Sequence, residues 1–345
     1  MTRALGPARV IGAALLLGLV LMAVGAPGIA PNDPAVHWPD RAFAPPSRIH
    51  VRDAQGWHSP FIYRSVLTNR MLREYREDLS ARVPLEFFSR GRIVTTNAGA
   101  EPLMLLGGDA LGRDLFARFV SGARLSFGVT ALGLLGALGI GTLVGAWAGS
   151  AGGATERWLM RAADFVLVLP GTYLVLVIRG VLPLVLSTWQ VFGLMAAIFA
   201  FSAWPHVARG VRAIVAAERA RPYAEAARAA GAGPFRLAAH LLPAARGFLL
   251  VEIVLLAPAL LIAEVTISFL GLGFPIPVAS WGMLLQDAQN VQALASAPWL
   301  LAPALGLFVV ALALNLVSGT SAESAIVTGT SASPSSSLTA AQSAR

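Results

Sequence analysis

Residues 125–154 pass without a single charged side chain, and similar apolar runs recur at 10–29, 165–178, 189–207, 248–274 and 291–317. About 20 apolar residues of helix cross a hydrocarbon core. No water is present there to satisfy the backbone, so such runs close their hydrogen bonds internally, as helices. The 345-residue chain is 56% hydrophobic and 13% charged, with a mean hydropathy of +0.68, which excludes an ordinary soluble domain. The expected fold class is all-α, a polytopic membrane protein of about six transmembrane helices. The run at 165–178 is short, so its span starts upstream near Trp158 and takes in Asp164.

All 26 basic side chains are arginine, and the formal charge is +8. They flank the apolar runs, which points to topology and lipid headgroup contact instead of nucleic acid. Residues 209–246 hold seven of them (209, 212, 219, 221, 228, 236 and 246) against Glu218 and Glu225. A short loop this basic is expected in the cytoplasm. The connection at 150–161, with Arg157 and Arg161, falls on the same side, as do both termini. Cysteine is absent, so no disulfide framework or thiolate metal site is available.

Four segments follow from these patterns. Residues 1–30 read as a transmembrane anchor. The small residues 23–26 would also suit a cleaved leader, but the apolar run exceeds the ~7–15 residues of a signal core. Residues 31–123 read as an extracytoplasmic insert and pre-helix segment, with prolines at 31, 34, 39, 45 and 46. Within it, the charged stretch 71–78 is expected to form a helical turn or two, seated on Leu85, Phe87 and Phe88. Residues 124–318 form the transmembrane domain, with its loop at 209–246, and the Ser/Thr/Ala/Gly-rich residues 319–345 read as a disordered low-complexity tail.

The loop carries the strongest local signal. Pro222 suits the first position of a helix and Gly231 the position just past its end. Between them Tyr223, Ala226, Ala227 and Ala230 share one helical face, while Glu225 and Arg228 project elsewhere. Gly233 and Pro234 start a second short helix that ends before Pro243. On geometry alone, an ordinary helical hairpin joining two spans would explain this pattern as well.

Glu225-Ala226-Ala227, then Gly231, then Leu242-Pro243 resembles the coupling loop of permease subunits of ATP-binding-cassette importers. Two further stretches resemble the oligopeptide/dipeptide (peptide/nickel) branch, second-permease type. These are Gly108-Asp109-Ala110-Leu111-Gly112-Arg113-Asp114 with Gly122-Ala123-Arg124, and Glu264 with Ser268–Gly273 and Ser280-Trp281-Gly282. The resemblance covers about residues 105–316. It implies that Tyr223, Glu225, Ala226, Ala227, Gly231, Leu242 and Pro243 couple to an ATPase. It also implies a second permease subunit, two ATPase subunits and an extracytoplasmic solute-binding protein in a bacterial inner membrane. The chain departs from the family in Pro222, in a 231–243 gap one residue short, and in its low-complexity tail.

Asp164, Glu252 and Glu264 lie in or near apolar spans, where an ionised group costs roughly 2.5–3.5 kcal/mol. For Asp164 an interfacial, hydrated position is expected. Glu252, Glu264 and Trp281 are candidate pathway or gate residues. The five histidines form no metal-binding spacing, and without lysine there is no Walker loop, so ATP belongs to partner subunits and this chain binds no cofactor and is not an enzyme. The alternative function is an ion-gradient-driven transporter or channel that uses the intramembrane acids.

Overall fold

The computed structural model describes residues 7–53, 55–70, 73–97, 101–169, 173, 177, 186–275 and 277–329. In chain order, helix α1 (Pro7–Val24) leads to four strands, β1 (His50–Asp53), β2 (Gly56–Asn69), β3 (Glu74–Ser89) and β4 (Arg92–Thr96). Helices α2 (Leu115–Ala151), α3 (Gly153–Val168) and α4 (Thr188–Arg219) follow. Then come two short helices, α5 (Pro222–Ala229) and α6 (Pro234–Leu241). The chain continues through α7 (Arg246–Phe269), α8 (Trp281–Asp287), α9 (Val291–Ser296) and α10 (Ala302–Gly329). Among the described residues, five segments are long and apolar enough to cross a membrane, carried by α1, α2, α4, α7 and α10. The sixth expected span begins as α3, with Trp158 and Asp164 in it, and most of residues 170–185 lie outside the described residues.

The two longest helices pack along a seam of small residues. Gly133 lies against Phe199, Gly141 against Val207, Gly145 against Val211 and Gly149 against Val215. A Cβ added at any of these four glycines would come within 3 Å of the facing side chain. The order of contacts is the same along both helices, so α2 and α4 run parallel. Small residues every fourth position let membrane helices approach closely, which supplies the dispersion contact that hydrophobicity cannot supply in lipid. Both helices have firm starts. Asp114 accepts hydrogen bonds from the Phe116 and Ala117 amides, and Ser187 with Gln190 forms a capping box for α4. Because the helices are parallel, the α5–α6 hairpin sits at the opposite end of the bundle from the strands.

The strands form one antiparallel meander in the order β1-β2-β3-β4. This corrects the helical expectation for 71–78: of that stretch, residues 74–78 lie in β3 and pair with β2, as Leu67 with Tyr75 and Val66 with Arg76. Residues 71 and 72 lie outside the described residues. Alternation decides the outcome. Tyr75, Leu79, Ala81, Val83, Leu85 and Phe87 recur at every second or fourth position, a period that belongs to a strand. Arg90 and Gly91, both at positive φ, make the tight turn into β4. Ile62, Val83, Leu85 and Leu103 form the small core, whereas Phe87 and Phe88 are exposed and seat nothing.

Two other boundaries shift. The 291–317 run is broken: α9 ends at Ser296, Pro298–Leu301 forms a 3₁₀ turn, and the long helix starts only at Ala302. The backbone of α10 then continues to Gly329, into the stretch expected to be disordered. Residues 330–345 lie outside the described residues.

Candidate functional site

The hairpin after α4 is built to present a short helix. Pro222 opens α5 behind Arg221, and the Gly231 amide bonds the Arg228 carbonyl while the Ala232 amide bonds the Ala227 carbonyl. That pair of bonds is the Schellman end of a helix, and it requires the left-handed conformation that Gly231 supplies at φ 85°. No heavy atom beyond the chain neighbours lies within 4 Å of where a Gly231 Cβ would sit. The glycine is therefore required by its backbone conformation, not by crowding.

α5 rests on its own chain through a narrow base. Ala224 is buried against Val211, Val215, Leu237 and Leu241, and Ala227 and Leu242 are partly buried beside them. This revises the expected face. Tyr223, Glu225, Ala226 and Ala230 point outward, so the residues that seat the helix and those it offers are on different sides. The Tyr223 hydroxyl donates to Glu218 at 2.7 Å, and Arg221 Nε pairs with the same carboxylate at 3.0 Å. Glu225 pairs with Arg228 at 4.0 Å. Phe235 on α6 is strongly exposed. Pro243 falls in the 3₁₀ turn Leu242–Ala245 that leads into α7.

At the opposite end, Glu264 and Trp281 are fully buried within this chain. The Ser268 hydroxyl donates to Glu264 Oε1 at 2.7 Å, and the Ser126 and Ser280 hydroxyls face the same carboxyl. The Trp281 indole stacks on Phe119 and meets Phe127 edge-on. Gly122, Gly282 and Gly306 leave room for this cluster, since a side chain at each would strike Trp281, Ser280 or Ser268. Glu252, near the hairpin end of α7, is buried with His206 as its neighbour. Asp164 is half exposed and pairs with Arg209 at 3.4 Å.

The stretch 108–114 forms an ionic knot that sequence reasoning did not resolve. Asp109 Oδ2 accepts from Arg113 Nε at 2.7 Å and from Arg118 at 2.6 Å, and its Oδ1 takes the Leu111 and Arg113 amides. Arg113 reaches toward Asp287 at 3.9 Å, which ties α8 to the start of α2. All three members of the inner knot are buried. Arg118 gave no warning, because it precedes the charge-free run at 125 and falls in the stretch expected to lie ahead of the helix.

Residues 141–323, which include α4, the hairpin, α7 and α8, match the family of binding-protein-dependent transport system inner membrane components. The chain belongs to this family. It is 36% identical over 196 residues to the oligopeptide transport system permease protein OppC of Bacillus subtilis (strain 168), covering 56% of this chain and 61% of that one. To the nickel transport system permease protein NikC of Escherichia coli (strain K12) it is 36% identical over 217 residues, 61% of this chain and 74% of the relative. The glutathione transport system permease protein GsiD of Pectobacterium atrosepticum is 30% identical over 222 residues, 64% and 71% respectively. The chain thus spans about three fifths of the Bacillus relative. As a member of this inner membrane family it is a multi-pass membrane protein.

Proposed function

We propose that this chain is the permease subunit of an ATP-driven, binding-protein-dependent importer, with peptides as the substrate class. The observation that carries the reading is the α5 helix. It is a rigid, capped element standing clear of the bundle on a base of Ala224 and Leu241, with Tyr223, Glu225, Ala226 and Ala230 turned outward. Such an element can enter a cleft on an ATPase subunit, and α4 and α7 flank it as levers. The arginine-rich end is cytoplasmic and the meander extracytoplasmic, in line with the charge bias of the short loop. A second permease completes the pathway, two ATPase subunits supply ATP hydrolysis, and a solute-binding protein delivers cargo. The enclosed carboxyl of Glu264, set among three serines, gives no support to the ion-gradient alternative.

Co-purification from membranes tests this. ATPase subunits are expected with wild type in mild detergent, and to be lost or uncoupled with Glu225→Arg. Wild-type protein that brings down no ATPase overturns the reading.

A further inference from the structure

At the hairpin end of the bundle, α2 gives way to α3 through Gly152, at φ 68°. Two carboxylates and four arginines meet there. Arg212 of α4 holds Glu156, and Arg209 of α4 holds Asp164. Both acids are thereby neutralised. Arg157 and Arg161, one turn apart on α3, have no acidic partner among the described residues. Together with Arg212 and the two ion-paired acids, Glu156 and Asp164, they line one cavity of about 440 Å³.

The same helix also carries exposed apolar side chains. Trp158, Phe165 and Val168 are each more than two-thirds exposed, forming an apolar stripe that continues from the arginine pair. Arg161 lies over the Trp158 ring, 5.2 Å from its centroid. Exposed tryptophan beside arginine marks the depth at which headgroups begin. Trp147, also exposed, stands one turn before the end of α2. A cavity at headgroup depth whose two acids are already ion-paired, leaving Arg157 and Arg161 as excess positive charge beside an apolar stripe, matches one kind of ligand, an anionic amphiphile.

We propose that this cavity binds an anionic glycerophospholipid of the leaflet bordering the hairpin. Arg157 and Arg161 hold its phosphate, and one acyl chain lies along Trp158, Phe165 and Val168. The proposal rests on the membrane-spanning fold and not on the transport reading. It is tested by native mass spectrometry of the full chain in its membrane complex, released from nanodiscs of equal phosphatidylcholine and phosphatidylglycerol. Wild type should retain phosphatidylglycerol roughly thirtyfold over phosphatidylcholine, as two interfacial cations imply. Arg157→Gln with Arg161→Gln should abolish the preference, and the paired Lys substitutions should keep it. Phe165→Ser, which leaves both arginines in place, should lower retention of both lipids and serves if the glutamine variant is not recovered. A preference unchanged in the glutamine variant, or unchanged retention in Phe165→Ser, overturns the proposal. So does displacement of the lipid by millimolar glycerol phosphate, which would mark a site for free phosphate esters.

Discussion

Trp281 and Phe119 lie ring on ring, with centroids 5.2 Å apart and planes 9° from parallel, and the indole Nε1 donates to the Phe119 carbonyl at 3.0 Å. The pair fastens α8 to the start of α2. Trp281→Ala removes a fully buried side chain and is expected to cost about 3–5 kcal/mol. Trp281→Phe keeps an aromatic ring and should cost less than half of that. Thermal unfolding in detergent distinguishes them, and equal midpoints for all three proteins would sink the idea.

The glycine seam gives a sharper contrast. A Cβ at Gly141 would come 2.5 Å from Val207, whereas one at Gly139 meets nothing within 4 Å. Gly141→Leu should therefore destabilise the α2–α4 pair by more than the ~1–3 kcal/mol typical of overpacking. Gly139→Ala should be neutral or slightly stabilising. Yield and thermal midpoint of the two variants, side by side, provide the check.

Gly231 is open in space but constrained in backbone. Gly231→Ala forces a Cβ into the left-handed region at a cost of roughly 1–2 kcal/mol, while Gly231→Asn should be milder. The helix end would loosen without the bundle unfolding. Substrate-stimulated ATPase activity of the assembled complex should fall in the order Gly, Asn, Ala, with global stability little changed.

Burial raises the carboxyls of Asp114 and Asp287 to about 6, and for Asp287 the Asp109 carboxylate adds to the rise while Arg113 opposes it. Both lie above their ordinary value of 3.8, so the folded chain holds more protons than the unfolded one between about pH 4 and 6. Stability therefore falls as pH rises through that window and levels off above it. The thermal midpoint should be higher at pH 5 than at pH 7.5. Asp287→Asn should narrow the gap, and a gap of the same size in that variant would count against the assignment.

The meander lies at the end of the bundle opposite the hairpin, the end at which the proposed function has the solute-binding protein approach. Replacing residues 50–97 with a short linker is expected to weaken docking of the solute-binding protein while leaving the ATPase subunits bound. Surface plasmon resonance on the reconstituted complex measures the first, and co-purification the second. Docking unchanged by the deletion would remove the meander from the interface.

The membrane helices were legible because length and apolarity decide them locally. α2 extends upstream of its charge-free run because Arg118 is neutralised by Asp109, a partner that only the folded chain brings close. The hairpin helices were legible from Pro222, Gly231 and Pro234, yet their facing was not. Ala224 became the buried base because Val211, Val215 and Leu241 converge on it from α4 and α6. The meander was the larger miss. Dense charges at Glu74, Arg76 and Asp78 resemble a solvated helix, while the period-two pattern of Tyr75 to Phe87 is diluted by Leu79, which is itself exposed.

The parallel seam between α2 and α4 also has a mechanical meaning. Each glycine notch is filled by a side chain from the other helix, so the pair is keyed and cannot slide lengthwise. The two can tilt or rotate only together, as one stiff spar. A displacement applied where α4 meets the hairpin thus arrives undiminished at Gly128 and Phe192, at the far end of the same spar.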